Sequence, residues 1–264
     1  MSSSFWRYVS ASVIGTSHLK LGGVCQDSNL CFVIPKLKDG DVLVGIVSDG
    51  AGSASKSDIG SMITCKAIKS CIQNYLSDSQ LQTIDKTTVE KWIEDVQSEL
   101  IDQAHNDNCA LRDYACTILT AIVGDEFAVF FQIGDGSIVV ADTEELNYGH
   151  IFWPDRGEYE NTTYFITETD YKINLQFENV KRKIIELSLF SDGLQRIALD
   201  FAKSMPHEAF FKGLFPFLRK SEPENSIKLS QSLQDFLSSS RVNERTDDDK
   251  SLILATRLTG LVGT

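Results

Sequence analysis

No Cys-x-x-Cys pair occurs among Cys25, Cys31, Cys65, Cys71, Cys109 and Cys116, which argues against a zinc ribbon or a thioredoxin-type site. HExxH and GxSxG are missing too, so neither a zincin helix nor a hydrolase nucleophile elbow is encoded. Two Gly-x-Gly pairs begin like dinucleotide fingerprints, but Ser55 and Val139 stand where the third glycine belongs. Positive charge is scarce: 25 Lys and Arg face 37 Asp and Glu, a net charge of −12. That balance repels nucleic acid and anionic membrane alike, so neither is an expected partner. Apolar runs such as 127–131 are far too short to span a bilayer. The opening residues lack a basic leader with a continuous apolar core. The expectation is a cytoplasmic protein with reduced, mostly buried thiols.

What is present fits one globular domain over residues 1–264, with 42% apolar and 23% charged residues. Strand signals occur at "FWRYVSASVIG", "SNLCFVIP" and "VLVGIVS". The stretch "TILTAIV-GDE-FAVFFQI-GDG-SIVVAD" reads as three antiparallel strands of one meander, because such short breaks cannot hold a crossover helix. Further strands are expected at "HIFW", "TTYFIT", "YKINLQF", "KIIELSLF" and "SLILATRL". Helical spacing of apolar residues predicts helices over 55–76 and about 87–106, the second with Val89, Trp92, Ile93, Val96 and Leu100 inward. Segments 194–203, 207–219 and 225–239 also read as helical, interrupted by Pro206, Pro216 and Pro223. Strands in runs and helices in pairs predict an α+β fold. "NYGHIFWPDRGEYENTT" reads as a loop segment able to shape access to a site.

Three apolar runs end in an Asp-Gly step: Asp49-Gly50, Asp135-Gly136 and Asp192-Gly193. An acidic triplet, Asp247 to Asp249, opens the last strand. One such step is a turn; four acidic strand ends suggest a shared rim. Two charges about 4 Å apart near a protein surface repel by roughly 4 kcal/mol, so clustered carboxylates require protons or cations. Glycine after the aspartate lets a backbone carbonyl approach as a further ligand. All-oxygen donors suit Mg²⁺ or Mn²⁺. The triplet mimics an EF-hand start, but Leu252 and Leu258 occupy the turn-glycine and closing-glutamate positions.

In order, "GTSH" with "CQD", "VSDGAGS", "RDYACT", "IGDGS", "GEYENTTYFIT", "FSDGLQR" and "NERTDDDK" resemble the metal-dependent PPM (protein phosphatase 2C-like) serine/threonine phosphatases, in particular a small bacterial branch. The resemblance spans nearly the whole chain. It implies a four-layer α-β-β-α sandwich of two mainly antiparallel sheets flanked by helices. It further implies that Asp49 bridges two Mn²⁺ or Mg²⁺ ions, that the Gly50 carbonyl binds one, and that Asp192 and Asp248 hold the other. Asp135 matches an aspartate that helps bind a third, weaker ion, and Asp27 one that orders water or that ion. The implied substrate is a phosphorylated protein, with a cognate serine/threonine kinase as the opposing partner.

Four departures from that pattern stand out. Gln26 replaces an acidic residue, Ala51 a histidine proposed as general acid, and Asp249 a common asparagine. The phosphate-gripping arginine has no clear counterpart: Arg7 falls early in the chain, and Ser17 with His18 are the substitutes at hand. His18 is then the candidate acid for the leaving group. A catalytically weak phosphoprotein-binding relative, or a small-molecule phosphohydrolase, stays open at this point.

Overall fold

The computed structural model describes residues 4–35, 40–77, 83–143, 145–154, 163–222 and 226–259. The first half of the chain forms β1 (Ser4–Val13), α1 (Thr16–Lys20), β2 (Ser28–Ile34), β3 (Val42–Ser48), α2 (Ser57–Ser77) and α3 (Lys86–Asp107). Next come β4 (Ile118–Val123), β5 (Ala128–Ile133), β6 (Ser137–Ala141), β7 (Gly149–His150), α4 (Tyr171–Asn174), β8 (Gln176–Val180) and β9 (Glu186–Phe190). The last quarter holds α5 (Gln195–Ala198), a ribbon of β10 (Leu199–Asp200) with β11 (Met205–Pro206), α6 (Glu208–Lys220), α7 (Ser226–Leu237), α8 (Ser240–Asn243) and β12 (Lys250–Thr259).

Two five-stranded antiparallel sheets stack. One runs β1-β12-β9-β6-β7 and the other β2-β3-β4-β5-β8. Every residue of β3, β4, β5 and β6 is buried, which explains their continuous Val/Ile/Leu/Phe character: both faces are covered. Leu43, Val47, Leu119, Ile138, Leu189 and Ile253 fill the space between the sheets. On the outside of the second sheet, Ile68, Ile72, Trp92, Ile93 and Val96 of α2 and α3 pack on Val44, Ile46 and Phe131. On the first, Phe211, Phe215 and Leu218 of α6 and Leu233 and Leu237 of α7 cover Val9, Val139 and Leu254. The expected layering of helices, sheet, sheet and helices is therefore present.

α3 forms where its apolar spacing predicts it. Asp85 caps it by accepting from the Thr88 N–H at 2.7 Å, and Asn108 ends it in the left-handed region at φ 52°. Several expectations need correction. The helix expected over 194–203 is only the short α5, followed by the β10–β11 ribbon, and of "HIFW" only His150 lies in a strand. β6 does not extend the β4–β5 hairpin: it pairs with β9 and β7 in the other sheet. Gly134, at φ +116°, turns the chain across the seam between the sheets. The described part of "TTYFIT" is not a strand, and "YKIN" is a helical turn whose Tyr171 hydroxyl donates to the Glu90 carbonyl at 3.2 Å. Pro216 lies inside α6 without ending it. Pro223, and residues 155–162 of the expected loop segment, lie outside the described residues.

Candidate metal centre

Each acidic strand end is fixed by its own local bonding. After β3, the Ala51 N–H donates to the Ala115 carbonyl at 2.9 Å and the Thr117 N–H to the Asp49 carbonyl at 2.8 Å. The Asp49 N–H donates to Thr117 Oγ1 at 3.0 Å. Gly50 leaves no room for a side chain, because a Cβ there would lie 2.7 Å from the Gln26 carbonyl and 2.8 Å from Ser57. Asp135 sits at the crossing from β5 to β6. Its Oδ2 accepts from Thr163 Oγ1 at 2.7 Å and its carbonyl from Gln195 Nε2 at 2.5 Å. Asp192 opens a 3-10 turn directly after β9. The neighbouring Gly193 packs on the Asp249 carbonyl so closely that a Cβ would collide with it.

The result is one cleft of about 270 Å³ lined by His18, Asp49, Gly50, Asp135, Asp192 and Asp248, together with Ser17, Ala51, Thr117 and Thr163. Asp49 comes from one sheet, Asp192 and Asp248 from the other, and Asp135 from the crossing between them. A larger cleft of about 600 Å³ lies between β1 and α7, but no carboxylate lines it. Volume alone would choose that second place; chemistry chooses the first.

Asp27 does not line the cleft. It is buried beside Asp49, accepts from Ser191 Oγ at 2.7 Å through Oδ2, and leaves Oδ1 without a hydrogen-bond partner. Burial, reinforced by the charge of Asp249, pushes Asp27 up to about 7 against the opposing Ser191 bond. Asp192 is likewise pushed up to about 7, by burial first and then by Asp135 and Asp248. Burial, with Asp27 and Asp192 as neighbours, raises Asp49 well above the carboxylate range.

Burial, and then mutual repulsion, favours the protonated form of these three groups in the metal-free protein. Among the described residues, no three His, Cys, Asp or Glu side chains stand close enough to form a complete metal cage. The carboxyls are instead linked in a row, Asp27 to Asp49 to Asp192, with Asp135 and Asp248 beside the last. Such a row suits cations that take few protein ligands and several waters, as Mg²⁺ does. An all-oxygen donor set with an orphaned buried Oδ1 fits a hard divalent ion.

Residues 14–238 match the sequence model of protein phosphatase 2C. The chain belongs to the protein phosphatase 2C family. It is 35% identical over 254 residues to serine/threonine-protein phosphatase 3 of Escherichia coli (strain K12), covering 95% of this chain and 98% of that one. Its fold is similar to the catalytic domain of the serine/threonine phosphatase PstP, solved in complex with 2 manganese ions: TM-score 0.62, 13% identity, 97% of this chain and 100% of that one. Serine/threonine phosphatase Stp1 of Staphylococcus aureus superposes with TM-score 0.56 at 17% identity over 98% and 96% of the two chains.

Within this protein phosphatase 2C fold the departures take definite places. Ala51 and His18 line the same cleft. Asp249 is buried behind His18, its Oδ2 lying 3.0 Å from Nδ1, close without being aligned for a hydrogen bond. Gln26 donates its N–H to Asp249 Oδ2 at 2.6 Å. No arginine lines the cleft among the described residues. Arg7 instead donates to the Arg219 carbonyl at 3.1 Å and lines the other cleft. Sequence reasoning missed the parts played by Thr163, Gln195 and Asp249. Two of them were visible only as members of "GEYENTTYFIT" and "FSDGLQR", without a partner to give them a role.

Proposed function

We propose that this protein is a metal-dependent protein serine/threonine phosphatase that hydrolyses phosphoserine and phosphothreonine in proteins phosphorylated by a cognate kinase. The reading rests on one observation: Asp49, Asp135, Asp192 and Asp248, from both sheets and the crossing between them, meet on one cleft beside a glycine carbonyl. Residues 1–264 act as one catalytic domain. Asp49 with the Gly50 carbonyl, and Asp192 with Asp248, would hold two Mn²⁺ or Mg²⁺ ions, with Asp135 available to a third. When bound, such ions supply a water acidic enough to be nucleophilic near neutral pH and offset phosphoryl charge.

The chain's own groups do the rest. Asp27 stands behind Asp49 and, once ionised, adds negative charge that strengthens the hold on cations. Thr163 and Gln195 fix Asp135 from its side chain and its carbonyl, so it need not be ordered on binding. His18 faces the cleft from the segment opposite Ala51 and gives a proton to the departing serine or threonine oxygen, a step worth about 10²–10⁴ in rate.

Phosphopeptide hydrolysis during a Mn²⁺ and Mg²⁺ titration tests the reading. Wild-type turnover should rise with either ion and vanish in chelator, and Asp49→Asn should show none. Metal-dependent turnover of nucleotides, with phosphopeptides untouched, would replace it by a small-molecule hydrolase.

A further inference from the structure

Asp249 is nearly fully buried, at 3% exposure, yet three nitrogens converge on its two oxygens. The Gly15 N–H donates to Oδ1 at 2.6 Å, the Gln26 N–H to Oδ2 at 2.6 Å, and His18 Nδ1 lies 3.0 Å from Oδ2. Gly15 and Gln26 flank the segment 16–25, which carries Ser17 and His18 into the cleft. One carboxylate thus holds both ends of that segment and lies against the ring at its turn. The segment is held from the other side as well: the Ser17 N–H and Oγ both reach the Asp247 carbonyl, at 2.9 and 2.7 Å. His18 is therefore presented by a fixed turn.

The donor arithmetic decides which side chain can stand at 249. An ionised carboxylate only accepts, so it can satisfy both backbone N–H groups and still face Nδ1 as an acceptor. An asparagine would turn its NH₂ toward one of those N–H groups, donor against donor. An acceptor at Nδ1 also selects the ring tautomer that carries its hydrogen there. Nε2 is then the nitrogen left for the cleft.

We propose that Asp249 is a positioning residue for the reaction: it faces the Nδ1–H of His18, so that the other hydrogen of the imidazolium, on Nε2, is the one aimed at the departing oxygen, and the ring is left as the Nδ1–H form once that proton has passed. It links two departures from the family pattern. The histidine absent at Ala51 is replaced by one reaching in from the 16–25 segment, and the aspartate at 249 makes that replacement usable. Contacts of this kind tighten when substrate is in place.

The mechanistic part rests on the phosphatase reading; the tautomer assignment does not. The test compares leaving groups. Departure of p-nitrophenolate needs little protonation, whereas a serine alkoxide needs it fully. Asp249→Asn and His18→Gln should each lower kcat on a phosphoserine peptide about 10²-fold and change kcat on p-nitrophenyl phosphate by less than about 3-fold. The double variant should be no slower than His18→Gln alone, and Mn²⁺ uptake by calorimetry should match wild type. Equal losses on both substrates, additive losses, or weakened Mn²⁺ uptake in Asp249→Asn would overturn the assignment. Imidazole ¹⁵N resonances of the wild-type, Mn²⁺-loaded protein give a reading independent of how the variants fold. A protonated Nδ1 on His18 is expected; hydrogen on Nε2 alone would overturn it. Wild type that hydrolyses p-nitrophenyl phosphate but no phosphopeptide would remove the protein-phosphatase reading while leaving the tautomer to be judged by resonance.

Discussion

At the scale of single residues, the cleft is a set of acids crowded past what their charges allow. Asp49 is buried and flanked by Asp27 and Asp192, which raises it well above the carboxylate range. Replacing it by asparagine removes a carboxyl that resists ionisation. In chelator, Asp49→Asn should therefore melt above wild type, by about 1 kcal/mol or roughly 2–4 °C. With excess Mn²⁺ the order should reverse, because only wild type gains from binding. Differential scanning calorimetry under both conditions measures this, and a variant less stable in chelator would contradict it.

The same groups set a pH dependence. Folded and metal-free, Asp27 and Asp192 keep protons up to about 7, whereas unfolded aspartates release them near 3.9. The folded chain thus binds more protons between these values, and their contribution to stability falls as pH rises through that window. Urea midpoints in chelator should be lower at pH 7.5 than at pH 5, and Mn²⁺ should remove the decline. Most of these residues were legible in the sequence, because Asp-Gly after an apolar run is a local pattern. Asp249 was visible only as an odd neighbour of Asp248. Its partners, Gly15, His18 and Gln26, lie more than 200 positions away, beyond the reach of any spacing rule.

At the scale of elements, the strands were readable and their sheet membership was not. The breaks "GDE" and "GDG" look alike, yet the first closes a hairpin, with the Gly124 N–H donating to the Phe127 carbonyl at 2.9 Å, and the second changes sheets. Strands buried on both faces show no alternation, so nothing in their sequence says which sheet each joins. "YKIN" misled for a different cause: its composition suits a strand, but docking of Tyr171 on α3 decides in favour of a helical turn. α6 tolerates Pro216 because Phe211, Phe215 and Leu218 anchor it around that position. The ends of β9 and β12 meet at Gly193, which has no space for a side chain. Gly193→Ala should destabilise by about 1–3 kcal/mol through overpacking and displace Asp192. Urea denaturation and Mn²⁺ affinity should both register the change; an unaltered midpoint would mean the strand ends yield more easily than their packing indicates.

At the scale of the whole molecule, stability rests on the apolar layer between the sheets. Leu189 is fully buried there and touches the position a Cβ at Gly45 would take, at 3.4 Å. Leu189→Ala should cost about 2–5 kcal/mol, read as a lowered denaturation midpoint with Mn²⁺ uptake retained. The fold class and its family could be recognised from ordered motifs spread along the chain, four of which put Asp49, Asp135, Asp192 and Asp248 at strand ends on one cleft. Among the described residues no helix is long and apolar enough to cross a membrane.

The rim draws its acids from both sheets, and that has an effect beyond chemistry. Ions held by carboxylates of both sheets would work as a hasp across the two halves of the sandwich, gaining strength with ion concentration. Trypsin digestion should then slow as Mn²⁺ is raised, even in the absence of any phosphoester. Scarcity of the ion would shorten the lifetime of the enzyme as well as silence it, so abundance and activity would decline together.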